Sequence, residues 1–420
     1  MHEANSPIKI FEGVFNLKND MIQVELSGSI SFTWFVESGA HFSGSTNLDR
    51  RSLMAAFDEK NEYTLTANGI EMGQCYISNI IFGLEVNSVS ILEGVFTQQV
   101  ISGDKSIKVE KVIFSVPNLR EFHGASVKWI KEERHGFTRG RLHLEDDLFE
   151  ININKCLNYK ELYKSLSVKG GYAILYQGEL KKKSAGISHE EATEVLLCLN
   201  CFLSFINGRR ISALFIQGIF DNEEKWCDYT DYQVDIYKSA QTWTTLTGVS
   251  FDELWKAFRN IWKEDKDFLI STIHWYVESN SNSGFTDGSI MMAQTAIELL
   301  YNWWIVERKK MILGKDSASI TASNKIRLLL SQINLSNGVP SSLTHLSKLI
   351  KPSESIDAPD AIVQIRNSIV HSQEEKRKKL TNIDPKAKFE ALQLSLWYIE
   401  MALLRILEYK GKFNNRVNVE

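Results

Sequence analysis

The sequence predicts an α+β protein: a β-rich N-terminal domain of sandwich or barrel type, followed by an all-α helical bundle. Three observations carry this. Between residues 7 and 185, short runs rich in β-branched and aromatic residues alternate in polarity, with glycines between them. Beyond Gly248 nearly every apolar pattern has helical period. At 420 residues the chain is long enough for two domains, each with its own core. The division is placed at 1–248 and 249–420, the helical core being 286–420.

The elements follow in order. Met21–Leu26, Ser31–Val36, Tyr63–Thr66, Lys108–Val116, Arg141–Leu144, Phe149–Asn154 and Tyr172–Tyr176 read as strands. Ser188 opens a helix to about 205, because Ser188 and Glu191 form a capping box and Asn207-Gly208 closes it. Ser212–Gly218 and Tyr232–Tyr237 return to strand. Ser250-Phe251-Asp252-Glu253 is a second cap signature. Helices are then expected near 251–263, 266–280, 288–311, 321–333, 341–350, 358–372 and 385–410.

Composition narrows the function. A net charge of −4 gives the whole molecule no pull toward nucleic acid, so any such binding needs a local basic patch. The first residues, Met1-His2-Glu3-Ala4-Asn5-Ser6, carry an acid and no apolar run, which argues against a secretory signal. No stretch reaches the roughly 18 apolar residues of a membrane span. The five cysteines are sparse and odd in number, as expected of reduced thiols in a cytoplasmic protein. Cys198 and Cys201 lie within a buried-helix pattern, without a second pair at zinc spacing. There is no P-loop, H-E-x-x-H, G-x-S-x-G or EF-hand pattern. Neither a metal nor another cofactor is expected.

Ile362-Val363-Gln364-Ile365-Arg366-Asn367-Ser368-Ile369-Val370-His371 asks for a chemical explanation. At about 100° per residue, Ile362, Ile365, Ile369 and Val370 share one arc, and Arg366 falls within it. A guanidinium there keeps its charge and needs a partner or a ligand. Glu298, the acid in the apolar run 291–305, is the expected carboxylate partner. The run Lys376-Arg377-Lys378-Lys379 just beyond the histidine reads either as a solvated connection or as a phosphate-gripping loop.

Arg366 and His371 point about 140° apart on one helix, so a single copy makes an awkward site. A twofold axis could gather both residues from two subunits around one cleft. Such a site has no nucleophile of its own but suits a substrate that brings one, as RNA does in its 2′-hydroxyl. His371 would move the proton, Arg366 would hold the phosphate and its growing charge, and Asn367 would orient them.

Arg366-Asn367-Ser368-Ile369-Val370-His371 matches the R-x4-H motif of the HEPN superfamily, with a polar residue directly after the arginine. The acid-bearing helix around Glu298 and the ending Leu404–Gly411 resemble the ApeA-like HEPN group, in which a β-rich domain precedes the HEPN domain. The resemblance covers the last third of the chain and, by architecture only, the β-rich part. It implies a dimeric, metal-independent endoribonuclease with Arg366 and His371 catalytic and Glu298 in support. It further implies a role in anti-phage defence by abortive infection, with tRNA as a substrate. The β-rich region would then sense a phage-derived trigger. Two alternatives stand beside it: a non-catalytic HEPN module that binds RNA or a partner, and a purely structural Arg366–Glu298 salt bridge.

Overall fold

The computed structural model describes residues 3–20, 22–48, 53–54, 62–83, 89–97, 99–131, 134–184, 186–245, 247–282, 284–350, 355–370, 378 and 382–417. The architecture is α+β: a β-rich N-terminal part followed by a helical C-terminal part. The chain divides into two compact units. One comprises residues 1–119, 125–199 and 211–238, and the other 120–124, 200–210 and 239–420.

The first unit contains two β-structures. Six described strands close into a barrel in the order β1-β2-β3-β6-β5-β4: β1 Ile8–Lys18, β2 Gln23–Thr33, β3 Gly39–Thr46, β4 Tyr63–Ala67, β5 Ile70–Ile81 and β6 Ser90–Phe96. Pairing of β1 with β4 closes the ring. Alternation puts Phe15, Leu17, Val24, Leu26, Phe42, Leu65 and Leu92 inside and polar neighbours outside. Gly28 and Gly44 face each other across β2 and β3. A Cβ on Gly28 would lie 2.0 Å from the Ser43 carbonyl oxygen, and one on Gly44 would lie 2.9 Å from both Leu26 and Phe15. Glycine at 44 thus lets Phe15 fill the interior, and glycine at 28 lets β2 approach the β3 backbone closely.

Eight further described strands form an open sheet in the order β7-β14-β13-β8-β12-β11-β10-β9. They are β7 Ile101–Gly103, β8 Lys111–Pro117, β9 Ala125–Lys131, β10 Arg134–Glu145, β11 Phe149–Lys155, β12 Ile174–Lys182, β13 Leu214–Phe220 and β14 Glu223–Asp228. Ile8, Phe32 and Trp34 of the barrel pack on Leu214 and Phe215 of the sheet.

Helix α1, Tyr159–Lys169, was not foreseen; its buried Tyr159, Leu162 and Leu166 stand at helical spacing within a segment whose neighbours read as strand. The strand expected over 232–237 does not form. Its backbone is satisfied piecemeal: Gln233 O accepts from Ser212 Oγ at 2.8 Å, and the Tyr237 N–H donates to Gly171 O at 2.9 Å.

Helix α2, His189–Asn207, begins with the expected capping box: the Glu191 N–H donates to Ser188 Oγ at 3.2 Å, and the Ser188 N–H to Glu191 Oε2 at 3.1 Å. Gly208 ends it at φ +67°, a conformation glycine adopts without strain.

The second unit is helical. The helices expected over 251–263 and 266–280 are both present within α3, Phe251–Ser281, and the break between them falls at Asp265, which leaves helical geometry (φ −156°, ψ 78°). Asp265 Oδ1 accepts the Phe268 N–H at 3.0 Å, as an N-cap would, and Oδ2 accepts the Trp303 indole N–H at 2.9 Å. Phe268 stacks on the same indole, ring centroids 4.0 Å apart. Ser250 stands at the start of α3, but its side chain makes no cap bond. Helix α4, Phe285–Tyr301, passes into a π-helical stretch, Asn302–Arg308, where one α-helix over 288–311 was expected. Short α5 (Gly314–Ser317), α6 (Ala322–Gln332), short α7 (Thr344–Ser347), α8 (Ala358–Val370) and α9 (Pro385–Ile406) complete the described helices. Helix α8 packs against α4, α6 and α9.

Candidate functional site

Arg366 and Asn367 lie on the last turns of α8, Ala358–Val370. The helix is anchored at its start: Asp357 Oδ1 accepts the Asp360 N–H at 3.0 Å in an N-cap bond. Arg327 of α6 grips the same carboxylate with Nε at 2.7 Å and Nη2 at 2.8 Å. The Asp357 bond in turn holds the Arg327 guanidinium more firmly protonated. Asp357 before Ala358-Pro359 was a readable helix-start signal that the sequence reading passed over.

Burial along α8 runs out before its end. Ala361, Ile362 and Ile365 are at most 1% exposed, whereas Val370 is 43% exposed. The core arc expected to include Ile369 and Val370 therefore stops short, and Arg366 and Asn367 are half-buried at its margin.

Arg366 Nη1 donates to Asn367 Oδ1 at 3.1 Å. Its Nε–H is enclosed, without a hydrogen-bond partner among the described residues. The expected Arg366–Glu298 pair is not formed. Glu298, half-exposed on α4, accepts from Lys325 Nζ of α6 at 2.7 Å. The Lys325 ammonium also stands 5.6 Å from the Tyr301 ring centroid, one turn beyond Glu298. A nearer cation on a packed neighbouring helix takes the carboxylate, a contact that neither local period nor spacing reports. His371, Lys376, Arg377 and Lys379 lie outside the described residues, and Lys378 is exposed.

A fully buried carboxylate–guanidinium pair of the helical unit lies elsewhere. Arg416 Nη2 donates to Glu400 Oε1 at 2.5 Å, with both side chains at most 1% exposed. Tyr276 Oη donates to the same oxygen at 2.7 Å, and the buried phenol, beside that carboxylate, is pushed well above its usual pKa. Asn280 Oδ1 and Gln393 Oε1 accept further guanidinium protons at 3.0 Å each. This network is fully satisfied, as a buried charge requires. The contrast marks Arg366 as a cation without such compensation among the described residues.

No group of three or more His, Cys, Asp or Glu side chains among the described residues is placed to hold a metal. No described helix is long and apolar enough to cross a membrane.

Comparison with known proteins gives three findings. Residues 104–240 match the family model of the YopA central domain, a span that contains β8 to β14, and residues 262–420 match that of the YopA C-terminal domain, which contains the motif. The chain is similar over its whole length to the SPbeta prophage-derived uncharacterized protein YopA of Bacillus subtilis (strain 168). The two are 26% identical over 429 aligned residues, covering 100% of this chain and 93% of that protein. No solved structure matches the chain.

Proposed function

We propose that the helical unit is a metal-independent endoribonuclease of the HEPN type, working as a homodimer. The observation that carries this reading is the half-buried Arg366 guanidinium. It is steadied by Asn367, has no carboxylate against it among the described residues, and stands five positions before His371 at a helix end. A partly desolvated cation of this kind suits an incoming phosphate.

The chemistry is a transesterification. His371 takes the proton of the RNA 2′-hydroxyl, whose oxygen attacks the adjacent phosphorus. The bond from phosphorus to the 5′-oxygen breaks, and the histidine of the second copy returns a proton to that leaving oxygen. Arg366 holds the phosphoryl oxygens as charge grows on them. The products are a 2′,3′-cyclic phosphate and a 5′-hydroxyl. Glu298, held by Lys325, acts on the framework of the site and not on Arg366 directly. The basic run from Lys376 to Lys379 follows the substrate backbone.

In the cell this activity serves abortive infection, with tRNA cleavage halting an infected host and the β-rich region responding to a phage-derived trigger. The prophage origin of the Bacillus relative is in keeping with a weapon that a resident phage turns on competitors. The test is RNA-end sequencing after expression of wild type, Arg366→Ala and His371→Ala. New cyclic-phosphate ends in wild type alone are expected. Equal cleavage by all three, or dependence on a divalent metal, would remove the proposal.

A further inference from the structure

Independently of the nuclease reading, we infer that the β-rich unit carries a binding site for an uncharged nucleobase, in a cavity of about 410 Å³ between the barrel and the open sheet. Its size falls within the range of small-ligand sites, roughly 300–1,000 Å³.

The floor is the outward face of three adjacent strands. Ser115 on β8 and Gln177 on β12 are register partners, and Gln217 on β13 pairs with Ile113 two residues back along β8. With strands about 4.8 Å apart, this sets two amides and a hydroxyl on one face of the cavity floor, Gln217 offset by two residues from the Ser115–Gln177 row. Amide side chains both donate and accept, so a pair of them can read the edge of a base.

The wall is aromatic by virtue of an irregularity. Pairing of β13 with β8 slips between Leu214 and Gln217, and Phe215 adopts φ +54° there. That conformation is costly for a bulky side chain. A bulge of this kind re-aims a residue, and it places Phe215 in the cavity wall beside Tyr229, ring centroids 6.5 Å apart. The Phe215 ring is wedged against Phe32 of the barrel at 5.0 Å, which holds it in place.

The charged residue of the lining is Lys9, at the exposed margin and ion-paired with Glu12 at 2.5 Å. A lining of amides, hydroxyl, aromatic rings and aliphatic groups favours a ligand with apolar faces, a hydrogen-bonding edge and no charge. A nucleobase has these properties, whether it arrives as a free nucleoside or as one residue of an RNA strand.

The experiment is isothermal titration of the full-length protein with adenosine, guanosine, cytidine and uridine, and separately with a four-nucleotide single-stranded RNA. One nucleoside, or the oligonucleotide, should bind wild type, and binding should fall about tenfold or more in Gln177→Leu and in Ser115→Val. The first arm winning identifies a free nucleoside, the second a base presented on RNA. Arg366→Ala protein should bind the phosphate-free nucleosides as wild type does, so failure of the nuclease reading leaves this result intact. Absence of binding in both arms, or equal binding by Gln177→Leu and by the cavity-filling Ser115→Trp, would overturn the proposal. Circular dichroism of each variant excludes unfolding as the cause of loss.

Discussion

The Lys325 ammonium lies 2.7 Å from Glu298 Oε1, and that contact releases Arg366 from the carboxylate it was expected to need. The consequence is a helical core with two arginines in opposite situations. Arg416 is neutralised and buried, whereas Arg366 is half-buried with Asn367 for company.

Arg366→Ala should therefore leave the fold intact while removing RNA cleavage. Loss of a donor that stabilises developing charge lowers turnover by about 10²–10³. His371→Ala should lower it by about 10²–10⁴. Cleavage assays on labelled RNA, read beside thermal melts, check both. A melt that collapses in Arg366→Ala would mean the guanidinium is structural.

Glu400→Ala should do the reverse of Arg366→Ala. It leaves a buried guanidinium without its anion, a change that costs about 3–5 kcal/mol. Urea unfolding should show that loss, and replacing both Glu400 and Arg416 by apolar residues should recover part of it.

Lys325→Ala should be mild, because Glu298 is half-exposed and water screens the pair. A loss of about 0–1 kcal/mol is expected. Glu298→Gln should likewise keep most of the nuclease activity. A fall as deep as that of Arg366→Ala would place the carboxylate among the reacting groups.

Asp357→Ala removes both the cap of α8 and the anchor to Arg327. The cap alone is worth about 0.5–2 kcal/mol. Lower stability and weaker cleavage should appear together, since the helix carrying Arg366 is held from that end. Hydrogen exchange of the amides of Asp360, Ala361 and Ile362 reports the fraying directly.

The thiols predict an alkaline limit. Burial pushes Cys75 and Cys227 up to about 12 and Cys156 to about 11, from an ordinary value of 9.0. The fold thus favours the protonated forms. Their contribution is complete below pH 9 and is lost as pH rises through 9 toward 12, because the unfolded chain ionises first. Denaturation midpoints should fall over that window. At pH 8 a thiol reagent should leave Cys75 and Cys227 unmodified until denaturant is added.

Much of the architecture was legible in the residues alone. Alternation marked the β-rich part and helical period the rest, because each records which local face is buried. The box at Ser188 and Glu191 was legible because both bonds lie within four residues. So was the placing of Arg366 and Asn367 together near a helix end. Other features required the chain to be brought together. Closure of the barrel depends on β1 meeting β4, and the second carboxylate bond of Asp265 on a tryptophan 38 residues away. Glu298 belongs to Lys325, 27 positions on, and the buried arginine pair joins Glu400 to Arg416. Ion pairing is settled by which side chains face each other once helices cross, and a charge takes its nearest well-oriented partner. A periodic pattern describes one helix at a time. It showed that Arg366 needed an explanation, and only the packing of α4, α6 and α8 decided that Glu298 was not its partner.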